Sequence, residues 1–157
     1  ASLVDQYPNL VILQTMSKAF GLAGIRLGIS IANPEIIDYM MKVKAPYNIN
    51  KLTSEAAIRG YSNIESMKTN VGEILSERER LISELEKVSG VEKIFPTDAN
   101  FMIFKVPEAL DIYKKLAEKG VIVRYRGNEP HCDNCLRLTI GTPDENDQFI
   151  TALKQVI

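Results

Sequence analysis

An α/β fold that closes in an α+β layer is what this 157-residue sequence predicts, on three observations. Short apolar runs of strand length alternate with segments that carry helical periodicity and helix caps. One long amphipathic stretch separates an earlier group of elements from a later one. The composition, 45% hydrophobic and 25% charged, is that of an ordinary globular domain able to bury a core.

The elements follow in order. Leu10-Val11-Ile12-Leu13, introduced by Tyr7-Pro8-Asn9, is a continuous apolar run of the kind found in a strand buried on both faces of a sheet. Ile25 to Ala32 contains a second apolar strand. Asn33-Pro34-Glu35 opens a helix to about Val43, with an asparagine cap, a first-position proline and an early acid. Pro46-Tyr47-Asn48 breaks it, and Lys51 to Arg59 predicts a short helix ending at Gly60. Ser62-Asn63-Ile64-Glu65 has capping-box form. From it Ile64, Met67, Val71, Ile74, Leu81, Leu85 and Val88 keep three- and four-residue steps, interrupted at Arg78, so a long helix ended by Gly90 is expected to link two domains.

Beyond it, Val91 to Phe95 and Phe101 to Val106 read as strands. Glu108 to Lys119 reads as a helix with Ala109, Leu110, Ile112, Tyr113, Leu116 and Ala117 on one face and Gly120 as its C-cap. Val121 to Tyr125 and Leu136 to Ile140 are two further strands. Thr142-Pro143-Asp144-Glu145 again has capping-box form and opens a last helix that buries Phe149, Ile150, Leu153 and Ile157. No internal repeat or low-complexity tract is visible.

Charge and cysteine content exclude several functions. Nineteen basic against twenty acidic residues leave a net charge of −1, with no electrostatic footprint for nucleic acid or an anionic membrane. No apolar run has membrane-spanning length and no secretory leader opens the sequence, so a cytoplasmic location is expected. Cys132 and Cys135 stand in His131-Cys132-Asp133-Asn134-Cys135, a Cys-x-x-Cys beside the only histidine. A structural zinc needs four ligands and three soft candidates exist, so no metal is expected and the pair reads as ordinary thiols of a surface loop that follows Gly127-Asn128-Glu129-Pro130.

Chemistry concentrates between Thr15 and Gly28. Lys18 lies just past the first apolar run, at the strand edge where ligands bind in open α/β sheets. A primary amine on a flexible stem can condense with an aldehyde when burial and nearby positive charge keep part of it unprotonated. Arg26 supplies a planar fork of donors suited to phosphate, and Thr15 and Ser17 add hydroxyls. Gly21, Gly24 and Gly28 offer backbone conformations closed to other residues and close approach to a ligand. These are the parts of a phosphorylated-aldehyde site, although spacing alone suits a solvated surface lysine equally well. In the later part, Arg137 between Leu136 and Leu138 is either a surface strand residue or one facing a cleft to hold a carboxylate or phosphate. Arg124 ends the neighbouring strand and is a weaker candidate for the same anion. Asn100 either lines that cleft or merely forms the turn before a strand. Tyr47 and Asn48 read as structural.

Ser17-Lys18-Ala19-Phe20-Gly21-Leu22-Ala23-Gly24-Ile25-Arg26-Leu27-Gly28 resembles, nearly residue for residue, the lysine segment of the histidinol-phosphate aminotransferases, in the fold-type I group of pyridoxal-phosphate enzymes. Lys44-Ala45-Pro46-Tyr47-Asn48-Ile49-Asn50, Asp98-Ala99-Asn100-Phe101, Gly120-Val121-Ile122-Val123-Arg124 and Leu136-Arg137-Leu138-Thr139-Ile140-Gly141-Thr142 are similar to further segments of that family, in the same order. The resemblance implies residues 1–50 as the C-terminal part of the large cofactor-binding domain and 51–157 as a linking helix and small C-terminal domain.

It also implies that Lys18 bonds pyridoxal 5'-phosphate and moves the proton, that Arg26, Ser17 and Thr15 anchor its phosphate, and that Arg137 holds the acidic group of the substrate. The implied reaction passes the amine of histidinol phosphate to 2-oxoglutarate, giving imidazole acetol phosphate and glutamate in histidine biosynthesis, in a homodimer. The family's phosphate loop, stacking aromatic and pyridine-pairing aspartate lie upstream of its lysine and none is among these residues. The sequence opens on Ala1-Ser2-Leu3-Val4 without an initiator methionine, and is therefore expected to be a C-terminal fragment, inactive by itself. Two other readings stand beside this one: a related fold-type I enzyme, such as an aromatic aminotransferase or a phosphothreonine decarboxylase, and a non-catalytic α/β interaction module.

Overall fold

Local signals place the first elements of the computed structural model, which describes residues 2–157. Val11–Thr15 (β1) and Gly28–Ala32 (β2) pair antiparallel, from Val11 opposite Ala32 to Thr15 opposite Gly28. Asn33 caps Pro34–Val43 (α1), its side chain accepting a hydrogen bond from the Glu35 N–H at 3.1 Å, and α1 packs on β2. Asn50 does the same for Lys51–Ser62 (α2), accepting from the Thr53 N–H at 2.9 Å.

Three expectations change here. The first apolar run is not buried on both faces: β1 has a single partner strand among the described residues, and Leu13 is 77% exposed. Helix α2 does not stop at Gly60 but continues to Ser62. A glycine inside a helix costs about 1 kcal/mol, and what it gives here is space, because a Cβ at Gly60 would lie 2.8 Å from Leu22 Cδ1 and 3.2 Å from Met16 Cε. Nor does Ser62 cap the next helix; as the last residue of α2 it donates its hydroxyl to the Ile58 carbonyl at 3.0 Å.

The long helix is present as Ile64–Leu85 (α3), and the division between two compact units, Ala1–Asn70 and Val71–Ile157, falls inside it. Leu81 and Leu85 of its apolar stripe are fully buried, Ile64, Met67, Val71 and Ile74 only partly, and the helix ends at Leu85 rather than running to Gly90, so Val88 is buried from the turn that follows it. At the interruption Arg78 lays its stem along the same face, its side chain only 14% exposed.

The second unit holds a four-stranded antiparallel sheet in the order β3-β4-β6-β5, formed by Lys93–Ile94 (β3), Phe101–Lys105 (β4), Arg124–Tyr125 (β5) and Cys135–Thr139 (β6). Period-two alternation sends Met102 and Phe104 of β4 and Leu136 and Leu138 of β6 to one face. There they form one core with Leu81 and Leu85, with Ile112 and Leu116 of Ala109–Glu118 (α4), and with Phe149, Ile150 and Leu153 of Pro143–Val156 (α5). The Phe104 and Phe149 rings meet edge to face at 6.0 Å. The Thr142–Glu145 capping box forms as expected.

The two edge strands are shorter than their apolar runs. Each has one neighbour, and β3 is flanked by the Glu92 N–H to Lys105 carbonyl and Phe95 N–H to Ile103 carbonyl bonds. Leu110 and Ile157, assigned to buried faces from spacing, are 45% and 38% exposed, the first at the rim of α4 and the second beyond the end of α5.

A polar knot holds the start of α5 to α3. The Asn146 side chain, 2% exposed, accepts from the Gly141 N–H and donates to the Gly141 carbonyl, both at 3.0 Å, and donates to Glu77 Oε2 at 2.7 Å. Arg80 forks onto Glu77 at 2.8–2.9 Å and reaches Asp147 at 2.6 Å. These bonds, from Arg80 first and then Asn146, hold the Glu77 carboxyl below its ordinary value of 4.5. A depressed folded value contributes stability that is complete above about pH 4.5 and is lost as pH falls through the lower folded value. In urea melts taken down the acid limb, Glu77→Gln is therefore expected to flatten the decline below about pH 4.5; an unchanged acid limb would show that the knot does not hold the charge.

Candidate active site

The segment between β1 and β2 is built by its own backbone. Ser17 N–H donates to Thr15 Oγ1 at 3.1 Å just past the end of β1. The Gly21 N–H then returns to the Lys18 carbonyl at 2.8 Å, and the Leu22 N–H to the Met16 carbonyl at 3.0 Å. Met16 is fully buried while Lys18 and its neighbour Ala19 are exposed, so the segment is anchored by its apolar members and turns its amine outward. Of the three glycines credited with special conformations, only Gly21 requires one, at φ +66; Gly24 and Gly28 do not adopt that region, and a Cβ at either would meet nothing closer than 3.8 Å.

The strained residue is instead Arg26, left-handed at φ 53 after the single turn Ala23–Ile25, with Nη1 donating to the Ala23 carbonyl at 3.0 Å. A non-glycine residue held there costs of order 1–3 kcal/mol and persists only where its surroundings impose it. One N–H of its fork serves its own turn, and neither Arg26 nor Lys18 forms an ion pair among the described residues. An exposed amine, two hydroxyls and an open guanidinium on one short connection are donors that suit a phosphorylated aldehyde.

Sequence reasoning missed the support beneath this segment. Thr53, Ala57 and Gly60, at helical spacing on α2, form a strip of small residues. Thr53 Oγ1 donates to the Ile25 carbonyl at 3.2 Å, Gly60 admits Leu22 and Met16, and the Phe20 and Tyr61 rings lie 5.2 Å apart. The signal was legible as small residues at i, i+4 and i+7.

In the second unit Arg137 and Arg124 stand directly opposite each other on β6 and β5, on the face away from the core. The Arg137 guanidinium lies 5.0 Å from the centre of the Phe101 ring, a stacking partner the sequence reading did not anticipate. Its Nε is buried with no hydrogen-bond partner. A buried donor of a permanent cation without an acceptor is costly, and an anion laid against the guanidinium would remove that cost. Arg124 is exposed beside it. Asn100 sits in the turn before β4, where its carbonyl accepts from the Ile140 N–H at 2.9 Å and extends the ladder, while its side chain is exposed.

Tyr47, at φ 56 and 98% exposed, lies with Asn48 in the link between α1 and α2, where Asn48 Oδ1 accepts from Lys44 Nζ at 3.0 Å. Among the described residues no three His, Cys, Asp or Glu side chains converge as metal ligands, and no helix is long and apolar enough to cross a membrane.

Comparison with known proteins gives the family. A family model described as aminotransferase class I and II matches residues 1–153. A Flavobacterium johnsoniae protein named histidinol-phosphate aminotransferase is 48% identical over 151 residues, covering 96% of this chain and 43% of that protein. The chain thus spans less than half the length of the curated relatives it matches. The crystal structure of the Clostridium acetobutylicum histidinol-phosphate aminotransferase superposes with a TM-score of 0.89 at 29% identity, over 99% of this chain and 48% of that one. The Sinorhizobium meliloti enzyme of the same name, solved in complex with pyridoxal-5'-phosphate, gives 0.79 at 26% identity, over 95% of this chain and 41% of its own.

Proposed function

Because the chain belongs to the class I and II aminotransferase family, we propose that the complete polypeptide carrying it transfers the amine of histidinol phosphate to 2-oxoglutarate with pyridoxal 5'-phosphate, in histidine biosynthesis. The observation that carries this reading is the 48% identity, over nearly the whole chain, to a protein named for that activity. In this proposal residues 1–50 close the large cofactor-binding domain and 51–157 form a linking helix and the small domain. The enzyme acts as a homodimer in the cytoplasm, and this chain alone does not transaminate.

The residues take distinct roles. Bound here, the cofactor supplies an electron sink for the carbon that loses its proton. Lys18 Nζ would hold it, and the same amine would take that proton and hand it on as general acid and base. Arg26, with the Ser17 and Thr15 hydroxyls, binds the phosphate, and the strained turn that presents Arg26 fixes where that phosphate sits. Arg137, braced by Phe101 and left with an unpaired buried Nε, binds the substrate's phosphate or carboxylate, with Arg124 alongside and Asn100 at the same strand end.

Treating the complete polypeptide with pyridoxal phosphate, reducing with borohydride and mapping peptides is expected to find the pyridoxyl group on Lys18. A label elsewhere, or none, would overturn the assignment and favour the interaction-module reading. Turnover is expected to favour histidinol phosphate over phenylalanine and O-phosphothreonine, and the reverse order would move the substrate to one of the related enzymes.

A further inference from the structure

The Cys-x-x-Cys motif is used by nothing in the proposed reaction, and its backbone is hydrogen-bonded on every side. Between β5 and β6 the Cys135 N–H donates to the Cys132 carbonyl at 3.0 Å, closing a four-residue turn with Asn134 left-handed at φ 57. A turn of this kind keeps its end Cα atoms within about 7 Å, and a disulfide needs a Cα separation of about 4.4–6.8 Å.

The turn is also fixed from three sides. The Asn134 carbonyl accepts from the Val106 N–H at 3.0 Å, the Cys135 carbonyl from the Arg126 N–H at 2.9 Å, and the Cys132 N–H donates to the Glu129 carbonyl at 3.1 Å. The cysteines are therefore held at the two ends of one turn that both neighbouring strands support.

We propose that Cys132 and Cys135 are a reversible dithiol–disulfide pair, a modification site for small disulfides such as glutathione disulfide. The two thiols are unequal in a way that orders the steps. Cys132 is partly exposed, whereas Cys135 is 1% exposed and directs its Sγ toward the Asp133 carbonyl at 3.6 Å. Burial pushes the Cys135 thiol up, and the neighbouring Cys132 thiol adds to this.

Cys132, after losing its proton, attacks one sulfur of the small disulfide, whose S–S bond breaks and releases one thiol. Cys135 then loses its proton and attacks Cys132 Sγ, expelling the second thiol. Two protein thiols are oxidised by two electrons and one small disulfide is reduced to two thiols. Cys135 lies two residues before Arg137 on the same face of β6, so the pair closes at the head of the strand that carries the anion site.

The test uses the complete native polypeptide in glutathione buffers of graded ratio, with peptide mapping by mass. The 132–135 peptide is expected to lose both thiols together, two hydrogens lighter, and to regain them in reduced glutathione. Cys135→Ser, with Cys135→Ala as a second variant in case the first misfolds, is expected to stall with glutathione on Cys132. Cys132→Ser is expected to leave Cys135 unmodified over the same period. The proposal is overturned if the wild type stalls at a mixed disulfide, if either cysteine pairs elsewhere, or if both stay reduced in pure glutathione disulfide while the denatured chain oxidises.

Discussion

Alanine at Lys18 in the complete polypeptide is expected to lower kcat for histidinol-phosphate transamination by at least ~10²–10⁴-fold, the range a positioned general acid and base supplies, with the loss of the tether added to it. The expectation rests on position. The side chain is exposed at the end of β1, makes no ion pair among the described residues, and sits on a segment whose buried Met16 and turn hydrogen bonds fix the backbone on either side. Removing the side chain beyond Cβ creates no cavity in that packing, so fold and phosphate binding should survive.

The readouts separate these effects. The borohydride-fixed label should vanish, while circular dichroism and the urea midpoint stay those of the wild type. Lys18→Arg should lose as much activity as Lys18→Ala, because a guanidinium keeps the charge but not a nucleophilic amine. Normal turnover by Lys18→Ala would remove the proposed mechanism, whatever the family.

Phe104→Ala is expected to destabilise the sheet of the second unit by about 3–5 kcal/mol, the cost of truncating a fully buried phenylalanine. Phe104 has no exposed surface, pairs with Leu136 on β6 and Ile94 on β3, and meets the Phe149 ring of α5 edge to face. It thus joins a central strand, an edge strand and the last helix in one contact, and the space it leaves is bounded by elements that cannot all close on it. Native-state hydrogen exchange of the β4 and β6 amides reads the opening free energy at that place. A change under about 1 kcal/mol would mean that the core repacks, contrary to the cost expected of a close-packed interior.

How far the sequence could be read depended on whether a feature is decided locally. Asn33 and Thr142 cap their helices because capping needs only a side-chain oxygen and an N–H two or three residues on. Leu81 and Leu85 are buried together because helical period alone puts them on one face of α3. The lysine segment is contiguous, but residue type and spacing alone left Lys18 equally suited to a solvated surface, and its proposed role rests on the family resemblance.

Gly60 was misread as a helix stop because its space is needed by Leu22 and Met16, some forty residues earlier, and nothing in the local pattern says so. Of the strand expected at Val121 to Tyr125 only Arg124–Tyr125 pairs, although β6 extends to Thr139, and nothing in the local pattern shows that limit. The left-handed backbone expected of Gly24 and Gly28 is found at Arg26, a residue no propensity would place at positive φ.

The amino acids in their order determined the α/β class, the caps at Asn33 and Thr142 and the buried positions Leu81, Leu85, Phe149, Ile150 and Leu153, because each follows from residue type and from spacing within a turn or two. Tertiary structure alone decided that Arg137 rests on Phe101 with a buried, unpartnered Nε, that Asn146 ties Gly141 to Glu77, and that the segment bearing Lys18 is supported by small residues of α2. In each case the partners are distant in sequence, and the energy of a buried donor or a close contact depends on which distant atoms the fold brings to it.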